Sequence, residues 1–412
     1  MNNLSIYSSY LEKHGLHPTL IPANPEPELS TIVIIPSHEE KDLIKTLQSL
    51  KDCEEPNTLT EVIVILNHSE SAPNELILFH KLQYEQLQNW IKINSTRFVR
   101  FHCIEPLVFK NKIAGVGSAR KAGMDEAINR FKTIANSNGI IVNLDADCIV
   151  ESSYLKDIEN YFSSPDRKSC LSINFSHRID DEKNHKAILE YELHLRYYIA
   201  SQKLINYPYA FQTLGSCFAV RALDYCRQGG MNQRKAGEDF YFLHKFSVNN
   251  QLDELDKVLV YPSSRISERV PFGTGRAIIK FEENKNQLTY SLEAILLFGK
   301  LISLIPGWYN NDSWKEDLIS LHEDLFNYFI DEQLESEIKL CRNNCATIES
   351  FTKRLLKWFN PFRLMKYLHY MRDHQFPDQE VKLEAQKLLS ILDEKNSDYK
   401  ILYALLSKIK EV

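Results

Sequence analysis

The chain has 412 residues, 43% hydrophobic and 25% charged, with 13 Gly, 15 Pro and a formal net charge of -6. That length suggests about two or three domains, and a globular composition this poor in Gly and Pro excludes collagen-like and low-complexity chains. The acidic balance argues against a protein that coats nucleic acid through its overall charge.

The first half alternates two periods. TIVIIP (31–36) is a short β-branched apolar run and predicts a buried parallel strand. From Glu39 to Leu50 the apolar residues Leu43, Ile44, Leu47 and Leu50 take helical spacing. EVIVIL (61–66) predicts a second strand, Asn74 to Trp90 a helix, RFVRFHCI (97–104) a third strand, Gly115 to Ala135 a helix and GIIVNLDAD (139–147) a fourth strand. This alternation indicates an α/β domain with a mostly parallel sheet, whose strand C-termini form the edge where ligands bind. Beyond residue 150 the pattern loosens. Asp181 to Ile205 predicts a long helix, SCFAVRA (216–222) a strand, GEDFYFLHKF (237–246) a short helix and KVLVYP (257–262) a strand. After residue 276 the pattern is helical throughout. The expected division is an N-terminal extension (1–29), an α/β domain (30–285) and a C-terminal helical domain (286–412).

The N-terminus lacks a basic stretch followed by an apolar one, and so does not read as a secretory signal. The eight scattered cysteines read as reduced thiols, and Cys341 with Cys345 lacks the second pair that a zinc site needs. The most apolar stretch, Ala294 to Trp308, is short for a bilayer span and contains Lys300 and Pro306. A cytoplasmic protein is expected.

Four segments carry chemistry. Leu144-Asp145-Ala146-Asp147 follows the fourth strand. Strand alternation would point both carboxylates to one face, where a hard divalent cation carrying a diphosphate would satisfy them. The competing reading is a solvated loop with a helix cap. Gly237-Glu238-Asp239 opens a predicted helix, where a carboxylate is a cap, a dipole partner or a general base. In Gly115-Val-Gly117-Ser-Ala119-Arg120-Lys-Ala-Gly123, the glycines permit close backbone approach at a helix N-terminus. Ala119, Gly123 and Ala127 form a stripe for tight packing, and Arg120 lies off it. Last, Arg265, Arg269 and Arg276, with Gly273 and Gly275, form a basic segment able to clamp phosphates, or else a linker between domains.

In this order, the segments TIVIIPSHEE (31–40), EVIVILNHS (61–69), GVGSARKAGMDEA (115–127), IIVNLDADCIV (140–150) and GEDFYF (237–242) resemble a family 2 glycosyltransferase with the GT-A fold. The resemblance spans about residues 30–275. It implies a UDP- or GDP-sugar donor, a Mg²⁺ or Mn²⁺ ion and a carbohydrate or lipid-linked acceptor hydroxyl, in glycan or cell-envelope polysaccharide biosynthesis. Pro36, Ser37, His38 and Glu39 would line the nucleoside pocket. Asn67 stands where the family usually has an Asp that contacts the base. Arg120 matches a nucleotide-contacting position, and Gly117, Asp145, Arg265 and Arg269 join it as donor-binding candidates. Asp145 and Asp147 match the metal motif, and Asp239, with Glu238 beside it, the catalytic base. A nucleotidyltransferase, or a non-catalytic nucleotide-sugar-binding module, is the alternative; the acidic Ser37-His38-Glu39-Glu40 stands against the first. The basic and aromatic stretch 353–374 suits either a packed helix pair or peripheral contact with an anionic membrane, at its inner face.

Overall fold

The computed structural model describes residues 3–178, 184–235, 237–265, 274–392 and 400–411. In chain order the elements are α1 (Asn3–His14), β1 (Leu29–Ser37), α2 (Leu43–Lys51), β2 (Leu59–Ser69), α3 (Asn74–Asn94), β3 (Val99–Phe109), α4 (Val116–Thr133), β4 (Ile140–Asn143), β5 (Ile149–Val150), α5 (Tyr154–Ser163), β6 (Cys170–Phe175), α6 (His185–Leu204), β7 (Phe218–Arg221), α7 (Ala222–Arg227), α8 (Glu238–Ser247) and β8 (Leu252–Tyr261). They continue with α9 (Thr274–Asn284), β9 (Leu288–Thr289), α10 (Leu292–Leu304), α11 (Trp314–Leu321), α12 (Glu323–Asp331), α13 (Leu334–Asn344), α14 (Ile348–Trp358), α15 (Pro361–His374), β10 (Gln379–Glu380), α16 (Val381–Ile391) and α17 (Lys400–Glu411).

These form two compact units. One holds the described residues up to Arg178 together with Thr213–Arg265; the other holds Asn184–Gln212 and everything described from Thr274 onward. The long helix α6 therefore groups with the C-terminal helices, because an amphipathic period reports that a face is buried but not against what.

The first unit is built on an eight-stranded sheet of order β3-β2-β1-β4-β7-β6-β8-β5. β3, β2, β1 and β4 run parallel, so their C-terminal ends share one edge. β7 is antiparallel to both β4 and β6, β8 is parallel to β6, and β5 closes the far edge antiparallel to β8. Ile32 to Ile35 and Val62 to Leu66 are fully buried, as expected of central strands covered on both faces. α4 lies close against this layer. A Cβ at Gly123 would stand 2.5 Å from Ile34 Cγ2 and 3.1 Å from Ile65 Cγ1, so the small-residue stripe does pack on the sheet.

Two charges in this core have partners. Glu61, in the apolar run of β2, accepts from Arg130 Nη2 at 2.6 Å, and Arg130 Nη1 also holds the Ala23 carbonyl at 3.0 Å. Burial pushes the Glu61 carboxyl up, but His102, with Nε2 3.6 Å from it, and the hydrogen-bonded Arg130 outweigh it and hold the group below its ordinary value. The unforeseen helix α1 is fastened to α4 by a buried polar cluster. Tyr10 and Tyr225 donate to Asp125 at 2.7 and 2.8 Å, and Lys121 reaches the same carboxylate at 2.9 Å. Glu126 takes the backbone N–H groups of Leu20 and Ile21, so the segment before β1 is part of this unit.

In the second unit, α10 turns Leu292, Ala294, Ile295, Leu297, Phe298, Leu301 and Ile302 inward. Leu292–Tyr309 is long and apolar enough to cross a membrane by length and composition, with a mean hydropathy of 1.3. Here, however, α10 is a core helix. Phe298 packs on Tyr367 at 5.2 Å, and Phe329 on Phe359 at 5.3 Å. α14 and α15, which carry the 353–374 stretch, bury Phe351, Leu355, Leu364, Tyr367, Leu368 and Met371 in this unit. Arg363 and Lys366 pair with Glu332, while Lys353, Arg354 and Lys357 are exposed. All of the described chain beyond residue 276 is helical apart from turns and the short β9–β10 pair.

Candidate active site

The parallel strands deliver three chain segments to one edge of the sheet: the end of β1, the end of β2 and the turn after β4. β4 stops at Asn143, and Leu144 N still donates to the Ile34 carbonyl at 3.1 Å before the chain turns away. Asp145 and Asp147 therefore lie on a turn closed by Cys148 N to Asp145 O (3.2 Å), not on a strand. Thr46 on α2 holds the turn from below by donating to the Ala146 carbonyl at 2.8 Å. The expected strand alternation does not place these carboxylates. The turn does, and it leaves the Asp145 and Asp147 side chains 39% and 31% exposed.

Each has a guanidinium beside it. Arg120 is buried on α4; its Nη2 donates to Asp145 Oδ1 and its Nη1 to Glu238 Oε1. Burial alone would lower the Arg120 pKa, but Asp145 and Glu238 reverse this and hold it firmly charged. Arg120, expected to reach a base or phosphate, clamps the metal-motif turn to the start of α8. It fits only because residue 215 is glycine: a Cβ there would lie 2.2 Å from Nη1. Arg265 forms a two-pronged pair with the buried Glu40, and its Nη2 stands 3.5 Å from Asp147 Oδ2. Glu40 also accepts from the Asp42 N–H at 2.9 Å.

Gly115 and Gly117, at the start of α4, serve a different end from the one expected. A Cβ at Gly117 would meet the Arg234 carbonyl at 2.3 Å, and one at Gly115 would meet Lys235 at 3.2 Å. The start of α4 is thus covered by the chain that leads into α8, rather than open to an anion. That same close approach brings Glu238 and Asp239 to Arg120. Gly237 enters α8 through a left-handed conformation (φ 71°), and Asn232 donates to the Glu238 carbonyl at 3.1 Å. Asp239 accepts from the Phe240 N–H at 2.7 Å. Poor hydration pushes its carboxyl up to about 6; Glu238 and Asp145 add to the rise, while Arg120 and the Phe240 N–H oppose it. A carboxyl near 6 is poised to exchange protons at neutral pH.

At the other end of the edge, Ser37 is buried, and its hydroxyl has no hydrogen-bond partner among the described residues. The Ser37 carbonyl takes Asn67 Nδ2 at 3.1 Å, which leaves Oδ1 as the acceptor end of that amide. His38 is exposed and donates from Nδ1 to the Asn67 carbonyl at 2.8 Å. Glu39 follows with φ 52°. Pro36 lies within β1, opposite Ile65. The structure thus gathers Pro36 to Glu39 and Asn67 at one end, and Asp145, Asp147, Glu238, Asp239, Arg120 and Arg265 at the other. Arg269 and Gly273 lie outside the described residues. Sequence reasoning gave no site role to Glu40 or Gly215, nor to two histidines, His68 and His80, that pack beside His38.

Among the described residues no group of three His, Cys, Asp or Glu converges as a metal cage. Among the described residues the charge balance still suits a cation: five carboxylates (Glu40, Asp145, Asp147, Glu238, Asp239) meet two guanidinium groups. A magnesium-like ion needs only one or two carboxylates when phosphate oxygens and water complete its shell. Asp145 and Asp147 fit that donor set.

Residues 32–225 match the family model for glycosyl transferase family 2. That segment belongs to the family. The protein is a glycosyltransferase, and four parallel strands of its sheet end at the site edge. Glu238, Asp239 and Arg265 of the transferase lie beyond the matched segment. Crystal structures of S. aureus TarS 1–349 are similar at 15% identity over 80% of this chain and 90% of that chain. The TM-score is 0.39 for TarS alone, 0.41 for its complex with UDP-GlcNAc and 0.40 for its complex with UDP. At that distance the likeness bears on neither the donor nor the acceptor of this transferase. No curated protein matches the chain.

Proposed function

We propose that the enzyme transfers a sugar from a UDP- or GDP-sugar to the hydroxyl of a carbohydrate or lipid-linked acceptor in cell-envelope or related glycan synthesis, with inversion and with Mg²⁺ or Mn²⁺. The observation that carries this reading is the surplus of carboxylates among the described residues of the site edge, with Asp239 pushed to about 6. A nucleotide diphosphate is itself anionic and would be repelled by this edge unless a cation came with it. The ion, held by Asp147 and Asp145, would neutralise charge on the leaving diphosphate. Arg265, already against Asp147, adds positive charge on the same side. Arg120 fixes Asp145 and Glu238 in place, so the carboxylate array is set before any ligand arrives. Asp239 takes the acceptor proton as the hydroxyl attacks the anomeric carbon, and a single in-line displacement inverts that centre. Ser37, His38, Glu39 and Asn67 supply the nucleoside end. The intact set of Asp145, Asp147 and Asp239 favours an enzyme over a binding module.

Any contact with a membrane would be chiefly electrostatic. The apolar sides of α14 and α15 are used mostly inside their own unit, and the exposed residues of the stretch include the cations Lys353, Arg354, Lys357 and Lys366, with Phe362 as its exposed large hydrophobic side chain. A cytoplasmic enzyme working at the inner membrane face is the setting we propose. A thermal-shift screen of nucleotide sugars, with and without Mn²⁺, tests the donor and the metal together. The donor should raise the melting temperature only when Mn²⁺ is present, and Asp147→Asn should remove that rise. A donor response equal in both conditions, and kept in the variant, would refute the metal reading.

A further inference from the structure

Three histidines meet beside the nucleoside end of the site, and only His38 was among the residues expected there. His68, at the tip of β2, and His80, on α3, stack at 5.3 Å with their planes 25° apart, and His38 meets His80 edge-on at 5.8 Å. His80 is fully buried and His68 is 6% exposed.

Their hydrogen bonds leave one proton arrangement. The Glu39 backbone N–H points at His80 Nε2 (3.2 Å), and a backbone N–H can only donate. His80 Nε2 is therefore the acceptor nitrogen, and the proton of the neutral ring sits on Nδ1. His80 Nδ1 faces His68 Nδ1 at 3.1 Å and so donates to it. His68 then carries its proton on Nε2. No hydrogen bond from any described residue takes up that Nε2–H. Burial lowers the affinity of both rings for a second proton, His80 to about 4, so both stay neutral near pH 7. The chain starts at Glu39, whose left-handed backbone (φ 52°) is uncommon for a residue with a side chain. That turn is what aims the N–H at His80.

We propose that His68 is a donor-binding residue whose Nε2–H is a fixed hydrogen-bond donor to the nucleobase, and that His80 is the positioning residue that sets its tautomer. This rests on the nucleotide-sugar reading above. Asn67, next in the chain, has its amide turned the opposite way: Nδ2 is spent on the Ser37 carbonyl and Oδ1 is the acceptor end. Strand alternation turns the successive side chains of Asn67 and His68 to opposite faces of β2, so the base contact at this tip falls to His68 alone. Its fixed N–H suits a base that presents a carbonyl oxygen, which uracil and guanine both do. His80 contributes nothing to the ligand directly; it denies His68 the other tautomer.

The test is long-range ¹H–¹⁵N spectroscopy of the full chain labelled with ¹⁵N-histidine, with His68→Gln and His80→Gln assigning the signals. UDP and GDP are added separately with Mn²⁺. The expected result is His80 protonated on Nδ1, His68 protonated on Nε2, and a shift of the His68 Nε2 signal with whichever nucleotide binds. His80 protonated on Nε2 would overturn the relay. A His68 signal unmoved by a nucleotide that does bind would overturn the contact. If neither nucleotide binds, the nucleotide-sugar reading fails while the tautomers are still read, so the two failures are distinct. In affinity, His68→Phe and His80→Phe should each weaken nucleotide binding roughly two- to tenfold, and the double variant should be no worse than His68→Phe alone. Additive losses would mean that His80 acts on its own and would refute its positioning role.

Discussion

Replacing Asp239 by Asn separates the chemistry of this carboxyl from its cost to the fold. The folded group sits at about 6 against an ordinary 3.8. Between those values the native state holds a proton that the unfolded chain has released, so stability falls as pH rises through the window and levels off above about 6. Moving a carboxyl that far corresponds to roughly 2–3 kcal/mol. Asn cannot ionise, so the variant avoids this cost. Near pH 4 the variant and the parent should melt together. By pH 8 the variant should be the more stable by roughly 2–3 kcal/mol, on the order of 5–10 °C for a unit of this size. Its transfer activity should be lower by about 10²–10⁴-fold, the usual contribution of a positioned base. Calorimetry from pH 4 to 8, with an activity profile for the parent enzyme, reads both effects. Activity of the parent should decline as pH falls through about 6. A melting difference that does not change with pH would refute the electrostatic argument, and an active variant would refute the assignment of the base.

Gly215→Ala places a methyl against the buried Arg120 guanidinium and should disrupt its pairs with Asp145 and Glu238; breaking a buried ion pair costs about 3–5 kcal/mol, read as a lower urea midpoint together with lost activity. Arg130→Met leaves Glu61 buried without its two-pronged partner and should destabilise by a similar amount, yet the folded variant should keep its donor affinity, because the pair lies away from the site edge. Gly123→Val, with branches where even a Cβ is 2.5 Å from Ile34, should cost about 1–3 kcal/mol by overpacking, again by denaturant titration.

The strands that place the site were legible because they are long, β-branched and buried on both faces: TIVIIP and EVIVIL lie inside β1 and β2. β6 (CLSINF) was missed although Leu171, Ile173 and Phe175 alternate with Ser172 and Asn174, a short strand period lying where the β/α rhythm of the first half has broken down. α1 was missed because its attachment rests on Tyr10 hydrogen bonds to Asp125 and Tyr225, which no local sequence pattern announces. The carboxylates were found because they follow a hydrophobic run, but the geometry inferred for them failed, since β4 ends two residues before Asp145. His80 was invisible as a functional candidate. On the buried side of a helix, a histidine reads as core until the Glu39 N–H and His68 are seen against it.

Arg120 shows why the rest could not be read. Helical spacing placed it off the packing stripe, which is correct, and the resemblance then sent it towards a nucleotide. Its partners are 25 and 118 residues away in sequence, and only the folded chain brings them within reach. Once they are there, one buried cation explains several separate features of the sequence. Gly215 is small because the guanidinium fills the space its side chain would take. Gly117 is small because the strand of chain carrying Glu238 passes directly over it. Glu238, an ordinary helix-start carboxylate by its position, is buried and satisfied. Asp239, its neighbour, receives only the remainder of the positive charge, and this is why burial wins there and its carboxyl rises. The asymmetry between these two adjacent acids, one neutralised and one poised, follows from where a single arginine points, and it is the feature that a general base requires.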